Sequence, residues 1–224
     1  MKKSELAILI PAFNESKTIF SVIKKIERFG TPIVIDDGSS DNTFNLAKKA
    51  GATVIKHKTN LGYDESLNTG FLTACENNCK YVITFDADDQ HDSKLIPIFI
   101  DLLYEGNIVV CGVRKKKPRF SELLFSIYTN IRWGIKDPLC GMKGYSIDLY
   151  KELGHFDSYN SIGTELLLFS LSKNYSVKQV PIPIKRRQDL PRLGSLARAN
   201  IKILTSLMRH LIYFLFKIIY FINT

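Results

Sequence analysis

Short apolar runs that stop abruptly at carboxylates or amides constrain this chain more than any other feature. Residues 6–10, 33–35 and 81–85 are each continuously apolar or nearly so. They are followed by Asn14-Glu15, by Asp36-Asp37-Gly38-Ser39 and by Asp86-Ala87-Asp88. Runs this short without alternation are expected of strands buried on both faces. Helix-like segments separate them. Ile19, Val22, Ile23, Ile26 and Phe29 recur at helical spacing before Gly30 and Pro32, residues 43–50 end at Gly51, and residues 64–78 and 94–104 extend the pattern. Residues 53–55 and 108–111 supply further strands. Such alternation predicts an α/β fold with a mainly parallel central sheet flanked by helices. In these sheets ligands sit beyond the carboxyl ends of the strands. The three polar clusters are therefore expected along one edge, in one crevice.

The second half is less regular. Residues 120–133 read as an amphipathic helix, 164–173 as a helix, 177–184 as an alternating strand and 195–222 as a long helix that grows more apolar toward its end. The 224 residues suit one domain over 1–195 with a C-terminal apolar helical segment over 196–224. Residues 211–222 (LIYFLFKIIYFI) are too few to span a bilayer, which takes roughly 20. They fit an interfacial helix whose Lys217 snorkels, or a terminal helix packed on its own domain or on a partner. Apolar residues on every side of the segment favour membrane or partner contact over simple docking.

Charge narrows the partners. Lys and Arg number 31 against 22 acids, for a net +9, with basic clusters at 114–119 and 185–198. Anionic partners follow, while the absence of a recognisable reading motif argues against nucleic acid. The four cysteines do not form a disulfide framework, and MKKSELAILIPAF reads as a first strand rather than a signal peptide. Both observations predict a reducing, cytoplasmic setting, and the basic 114–119 run with the apolar C-terminus predicts a peripheral place on the cytoplasmic face of a membrane.

The acidic cluster 86–91 (DADDQH) carries the chemistry. Carboxylates two apart at a strand end supply hard oxygens from one turn to a divalent cation that bridges nucleotide phosphates. The competing reading is an acidic turn that starts the next helix, with Asp92 or Ser93 as its cap. In the 36–41 cluster, Asp37 is the candidate ligand for a nucleobase or ribose, and Ser40 and Asp41 are candidate caps for the following helix.

Taken in order, Pro-Ala-Phe-Asn-Glu (11–15), Asp-Asp-Gly-Ser-Ser-Asp (36–41), Asn60-Leu61-Gly62 through Gly70, and Phe-Asp-Ala-Asp-Asp-Gln-His (85–91) resemble family 2 glycosyltransferases of the GT-A fold. The likeness is strongest to the dolichyl-phosphate mannosyltransferase, or polyprenyl-phosphate glycosyltransferase, branch. It continues through Gly112-Val113-Arg114, residues 137–141 (DPLCG), Thr164-Glu165-Leu166-Leu167, and Val180-Pro181-Ile182 to Arg187 and Arg192-Leu193-Gly194. The resemblance implies that Pro11, Phe13, Glu15, Ile35 and Asp37 contact the nucleoside of a GDP- or UDP-sugar. It implies that Asp86, Asp88 and Gln90 hold Mg2+ or Mn2+, and that Ala87 lines the diphosphate. Arg187 and Arg192 are implied as phosphate clamps, a role suited to a forked guanidinium. Arg114 and Arg119 are implied as receptors for the phosphate of a lipid acceptor. Two departures stand out: Gly62-Tyr63-Asp64 replaces the usual Gly-Lys-Gly, and residues 188–191 (QDLP) replace a glycine-serine form.

A lipid phosphate oxygen is anionic at neutral pH and attacks the donor without a general base, whereas a sugar hydroxyl needs one. Glu165 is the candidate base, or else a glutamate favourably set at a helix N-terminus. Asp88 and Arg187 are the other candidate catalytic residues. A non-catalytic, membrane-associated module that keeps the fold is the alternative from another class. The acids and Arg187 argue against it.

Overall fold

The computed structural model describes residues 2–115, 117, 119–183 and 196–222, with side chains of the last segment described for 197–212. Seven strands, β1 (Leu6–Ala12), β2 (Thr31–Asp36), β3 (Thr53–Lys56), β4 (Tyr81–Thr84), β5 (Val109–Arg114), β6 (Lys143–Ser146) and β7 (Val177–Ile182), form one sheet in the order β3-β2-β1-β4-β6-β5-β7. Only β6 runs against its neighbours β4 and β5, and the other pairings are parallel. The helices are α1 (Ile19–Ile26), α2 (Thr43–Lys49), α3 (Tyr63–Glu76), α4 (Ile96–Tyr104), α5 (Phe120–Trp133), α6 (Ile147–Leu153), α7 (Glu165–Ser172) and α8 (Leu196–Ile222).

The apolar runs become strands because both of their faces are covered. Along β1, Ala7 and Leu9 join one core layer with Ile33, Ile35 and Phe71, while Leu6, Ile8 and Ile10 join the other with Val34, Ile83 and Phe99. The period of two thus divides one strand between two hydrophobic layers. Helix α1 buries Ile19, Val22, Ile23 and Ile26, a stripe that contributes about 1.5–3 kcal/mol per side chain. Gly70 lets α3 lie close to the sheet: a Cβ there would stand 2.9 Å from Cδ1 of Ile35 and 3.0 Å from Cδ1 of Leu9. The four cysteines are unpaired thiols.

Strand β6 and helix α6 had no counterpart in the sequence reading. The four residues KGYS of β6 are all buried, although Lys and Gly are weak strand formers and show no alternation. Tertiary pairing overrides local preference here. Helix α6 then starts at Ser146, whose hydroxyl accepts from the Asp148 N–H, and ends at Gly154, where φ is 88°. The sheet edge that matters for function collects the carboxyl ends of β1, β2, β4, β5 and β7. Antiparallel β6 contributes its amino end to the same edge.

Candidate active site

The β1 and β2 ends are locked together first. Pro11 pairs with Ile35 and Ala12 with Asp36. The backbone N–H of Asn14 donates to Ser39 Oγ at 2.9 Å, and the Asn14 side-chain oxygen accepts from the Ser40 N–H at 2.9 Å. The buried Glu15 donates its N–H to Thr43 Oγ1 at 2.8 Å. The N-cap of α2 is Asn42 without a side-chain cap bond, and Asp41, one residue earlier, accepts from the Thr43 N–H at 3.0 Å in a local turn. Glu15, Asp37 and the half-buried Phe13 and Pro11 therefore lie at one sheet edge. Ile35 and Ala87, expected at the nucleoside and the diphosphate, belong instead to the core: both are buried, Ile35 beneath Gly70 of α3 and Ala87 in the layer of Ile83 and Phe85. Alternation along β2 turns the Ile35 side chain inward, and the turn after β4 packs the Ala87 methyl into the core, which leaves their backbones to face a ligand.

Asp37 organises the neighbouring loop. Its carboxylate accepts from the N–H groups of Leu61 and Gly62, each at 2.8 Å, and pairs with His57 Nδ1 at 2.8 Å. His57 Nε2 in turn meets Thr69 Oγ1 at 3.0 Å. The Asp37 turn thus fixes the 57–62 segment and the start of α3, and any nucleoside contact comes on top of that task. Asp36, wholly buried, accepts from the Ser39 N–H at 3.0 Å and faces Lys56 Nζ at 3.8 Å.

The β4 end carries Asp86 and Asp88. The chain reverses at Asp89, which has φ 60° and an ion pair to Lys25 at 2.6 Å. Asp88 Oδ1 accepts from the Gln90 N–H at 3.1 Å, and Asp92 caps the following turn through the Lys94 N–H. Asp86 Oδ2 meets His91 Nε2 at 2.8 Å. His91 is buried and its Nδ1 has no hydrogen-bond partner among the described residues. A proton on Nε2 is then favoured, since a buried unpaired N–H costs more than an unpaired lone pair. His91 thus orients Asp86. Antiparallel β6 supplies the floor: Thr84 Oγ1 donates to the Gly141 carbonyl at 2.6 Å, and a Cβ on Gly141 would stand 2.4 Å from Asp86 Oδ2. A side chain there would push the Asp86 carboxylate aside, so Gly141 leaves that carboxylate its present place.

Asp86 and Asp88 offer hard oxygen donors from one turn, suited to Mg2+ or Mn2+ with the remaining positions left to substrate oxygens and water. Among the described residues no three Asp, Glu, His or Cys side chains gather as a metal-ligand group. A cation here would need such outside oxygens and the amide of Gln90.

Residues 155–165 pack against the start of α3 and Lys143 of β6. Asp64 accepts from the N–H groups of Gly163 at 2.6 Å and Ile162 at 3.2 Å. Lys143 Nζ donates to the Gly163 carbonyl at 2.7 Å. These bonds hold Ile162 at φ 58°, an unfavourable backbone for a β-branched residue. Burial and then the Asp86 and Asp64 carboxylates push the Tyr63 hydroxyl well above its ordinary value. Tyr63 therefore sits beside the metal-candidate carboxylate at the position where the resemblance lacks its lysine. Glu165, a candidate base or else a helix N-terminal glutamate, accepts from the Ser158 N–H at 2.5 Å and hydroxyl at 2.8 Å and meets His155 Nε2 at 3.0 Å. Its place at the start of α7 makes it an anchor for the 155–158 loop.

Burial, followed by the nearby Asp157 carboxylate, raises the Asp64 pKa from 3.8 to about 7. The folded chain therefore takes up a proton on this group that the unfolded chain releases near pH 4. Stability from this group is full below pH ~4 and is lost as pH rises to ~7, by at most about 4 kcal/mol at ~1.4 kcal/mol per unit. Asp64→Asn, which stays neutral, is expected to flatten the fall of the urea midpoint between pH 5 and 8. An unchanged slope would contradict the shift.

The phosphate cations expected at the acceptor also have prior partners. Arg114 Nε and Nη2 form a fork onto Asp137 at 2.8 and 2.9 Å, and Nη2 also reaches Glu122 at 2.9 Å. Arg119 Nη1 meets Glu122 at 2.5 Å. Asp137 and Glu122 are buried, so their need for a cation outweighs that of a distant ligand. Arg114, implied by the resemblance as a phosphate receptor, is the cation of a buried cluster. Its hydrogen bonds to Asp137 raise its pKa further despite burial, which by itself would lower it. Arg187 and Arg192 lie outside the described residues. His57, His91, Thr84, Gly141 and Lys143 carried no assigned role in the sequence reading, since each matters through a partner far away in the chain. A cavity of about 200 Å³ lined by Lys80, Tyr81, Ser146 and Lys151 lies at the opposite, amino edge of β4. Its lysines are paired with Glu5 and Asp148, and it holds none of these groups.

Carboxylates on one turn at the carboxyl edge of a twisted, mainly parallel sheet, beside a second turn locked to β1, define the class: a nucleotide-sugar-type transferase fold. Residues 7–154 match glycosyl transferase family 2, and the chain belongs to that family. It is similar to the dolichyl-phosphate hexose transferase of Haloferax volcanii, 29% identical over 86% of this chain and 88% of that one. It is 25% identical to the UDP-N-acetylglucosamine–dolichyl-phosphate N-acetylglucosaminyltransferase of Methanococcus voltae, over 78% of this chain and 83% of the other. Among solved structures, glucosyl-3-phosphoglycerate synthase of Mycobacterium tuberculosis, held with Mn2+, uridine diphosphate and phosphoglyceric acid, superposes with a TM-score of 0.75 at 24% identity. That match covers 91% of this chain and 77% of the synthase, and it establishes the GT-A-like fold. The chain is a glycosyltransferase of the GT-A fold.

Proposed function

We propose that this glycosyltransferase moves a sugar from a GDP- or UDP-sugar to a polyprenyl phosphate, with inversion and with Mg2+ or Mn2+ held by Asp86, Asp88 and Gln90. The observation that carries the reading is the turn at 86–90, seated on Gly141 and oriented by His91, at the same sheet edge as the Glu15 and Asp37 turns. When bound, the cation would neutralise charge on the departing diphosphate. The chain's own residues do the rest. The edge of β1 and β2, with Pro11, Phe13, Glu15 and Asp37, receives the nucleoside, and Arg187 and Arg192 are assigned to the phosphates. An oxygen of the acceptor phosphate forms the new bond to the anomeric carbon. The bond from that carbon to the diphosphate breaks, and its electron pair leaves with the nucleoside diphosphate. No proton has to be removed. This suits a site whose candidate base, Glu165, is tied to Ser158 and His155.

The relatives that transfer to dolichyl phosphate support the acceptor class, and the neighbour held with Mn2+ supports the cation. Attachment to a membrane face follows from a lipid acceptor. No helix among the described residues is long and apolar enough to cross a bilayer. The test is a panel of GDP- and UDP-sugars with Mn2+, with and without polyprenyl phosphate. Release of nucleoside diphosphate that depends on the lipid is expected. Release that ignores the lipid, or none with any donor, rejects the reading.

A further inference from the structure

Helices α5 and α8 pack side by side. Ser121 donates to the Asn200 side chain through its hydroxyl at 2.6 Å, and the rings of Tyr128 and Trp133 stand 5.8 and 6.0 Å from His210. The two helices therefore run parallel. Both are held by the same core layer, α5 through Phe125 and α8 through Ile203. On α8 the buried stripe is Ala199, Ile203, Ser206 and His210, and on α5 it includes Phe125, Ser126 and Thr129. Simple docking of the C-terminal helix would end there.

Each helix also carries a second apolar stripe that stays exposed among the described residues. On α5 it is Phe120, Leu123, Ile127 and Ile131, exposed by 68, 46, 46 and 82%. On α8 it is Ile201, Leu204, Met208 and Ile212, exposed by 63, 37, 57 and 48%. The spacing i, i+3, i+7, i+11 is the same in both. At about 3.6 residues per turn each stripe lies roughly half a turn from the buried stripe of its own helix. Because both helices sit on one core layer, both stripes face away from the body on the same side. Eight large apolar side chains in one face exceed the scattered exposure usual on a soluble surface.

We propose that α5 and α8 together form a platform that lies in the interfacial plane of an anionic bilayer, with the two exposed stripes among the acyl chains and the flanking cations at the headgroups. The charges select the occupant. Residues 196–222 contain no Asp or Glu, and the one acid of α5, Glu122, is buried. Among the described side chains the solvent-facing charges of the pair are Arg132, Arg198, Lys202 and Arg209, and the exposed Lys115 precedes α5. A second copy of the chain, net +9 and with the same basic face, would set cations against cations, whereas anionic lipid headgroups attract them. The amino end of α5 is tied to the active edge through Arg119, Glu122, Arg114 and Asp137. Docking of the platform thus brings that edge next to the bilayer. The inference deepens the proposed function by naming the surface, and it assigns α5, in mid-chain, a share equal to that of the C-terminal segment.

The experiment is co-sedimentation of the full chain with phosphatidylcholine vesicles, with and without phosphatidylglycerol, in the absence of donor and acceptor. Failure here consequently leaves the transfer assay standing. Wild type is expected to bind the phosphatidylglycerol vesicles in a salt-sensitive manner. Ile127→Glu with Ile131→Glu, and separately Ile201→Glu with Met208→Glu, are each expected to lower the partition coefficient by about tenfold or more. All four sites are exposed, so thermal melting should match wild type. Ile98→Glu, at an exposed residue of α4, is the control expected to bind normally. The platform is overturned if the α5 pair binds like wild type. It is equally overturned if binding ignores phosphatidylglycerol, or if the variants change mass by light scattering without changing vesicle binding.

Discussion

An Asp88→Asn protein is expected to melt like wild type and to turn over about 10²–10⁴-fold more slowly. Asp88 is a turn residue whose Oδ1 accepts from the Gln90 N–H at 3.1 Å, a bond that an asparagine oxygen also accepts, so the local fold survives. What disappears is one of two carboxylate charges available to a divalent cation. Cation stabilisation of a departing diphosphate is worth several kcal/mol, and each ~1.4 kcal/mol is tenfold in rate. Weaker metal binding should also appear as a higher Mn2+ concentration for half-maximal rate. Steady-state rates across a Mn2+ titration, with a melting curve alongside, check both points. Wild-type turnover in the variant would defeat the assignment of the cation to this turn.

How far such a site can be read from sequence differs from residue to residue. The acidic turn at 86–88 was legible because a buried strand and a sudden pair of carboxylates are both local signals, and the topology rule then sends them to one edge. The strands and helices of the first half follow for the same reason: burial on two faces writes itself into composition. Gly141 was legible only as part of a motif. That its missing Cβ makes room for the Asp86 carboxylate depends on β6 running antiparallel beside β4, a pairing that four residues containing Lys and Gly do not advertise. Ile35 shows the reverse error. Its motif implied a ligand contact, but alternation along β2 turns the side chain under α3. Asp37 and Glu165 show a third case, in which the residue stands at the edge or loop expected while its hydrogen bonds serve the chain's own backbone.

Arg114 separates the two ways of reading a basic residue most sharply. If it served chiefly to receive an acceptor phosphate, Arg114→Ala would lower transfer and leave stability nearly untouched, as surface substitutions do. The contacts demand a different outcome. The guanidinium binds Asp137 through two nitrogens and reaches Glu122 through one of them, and both carboxylates are buried. Removal of the cation strands Asp137 in particular, whose carboxylate otherwise accepts from the Arg114 backbone N–H at 2.9 Å. Breaking a buried pair from one side costs about 3–5 kcal/mol, so the urea midpoint should fall steeply. Arg114→Lys keeps the charge but loses the fork, and is expected to recover only part of the loss. Activity measured well below the melting transition completes the comparison. An alanine variant of wild-type stability but poor affinity for polyprenyl phosphate would return Arg114 to the acceptor. A destabilised variant whose remaining folded fraction keeps its affinity would fix the residue as the pin between β5, the 137–141 loop beneath Asp86, and the start of α5.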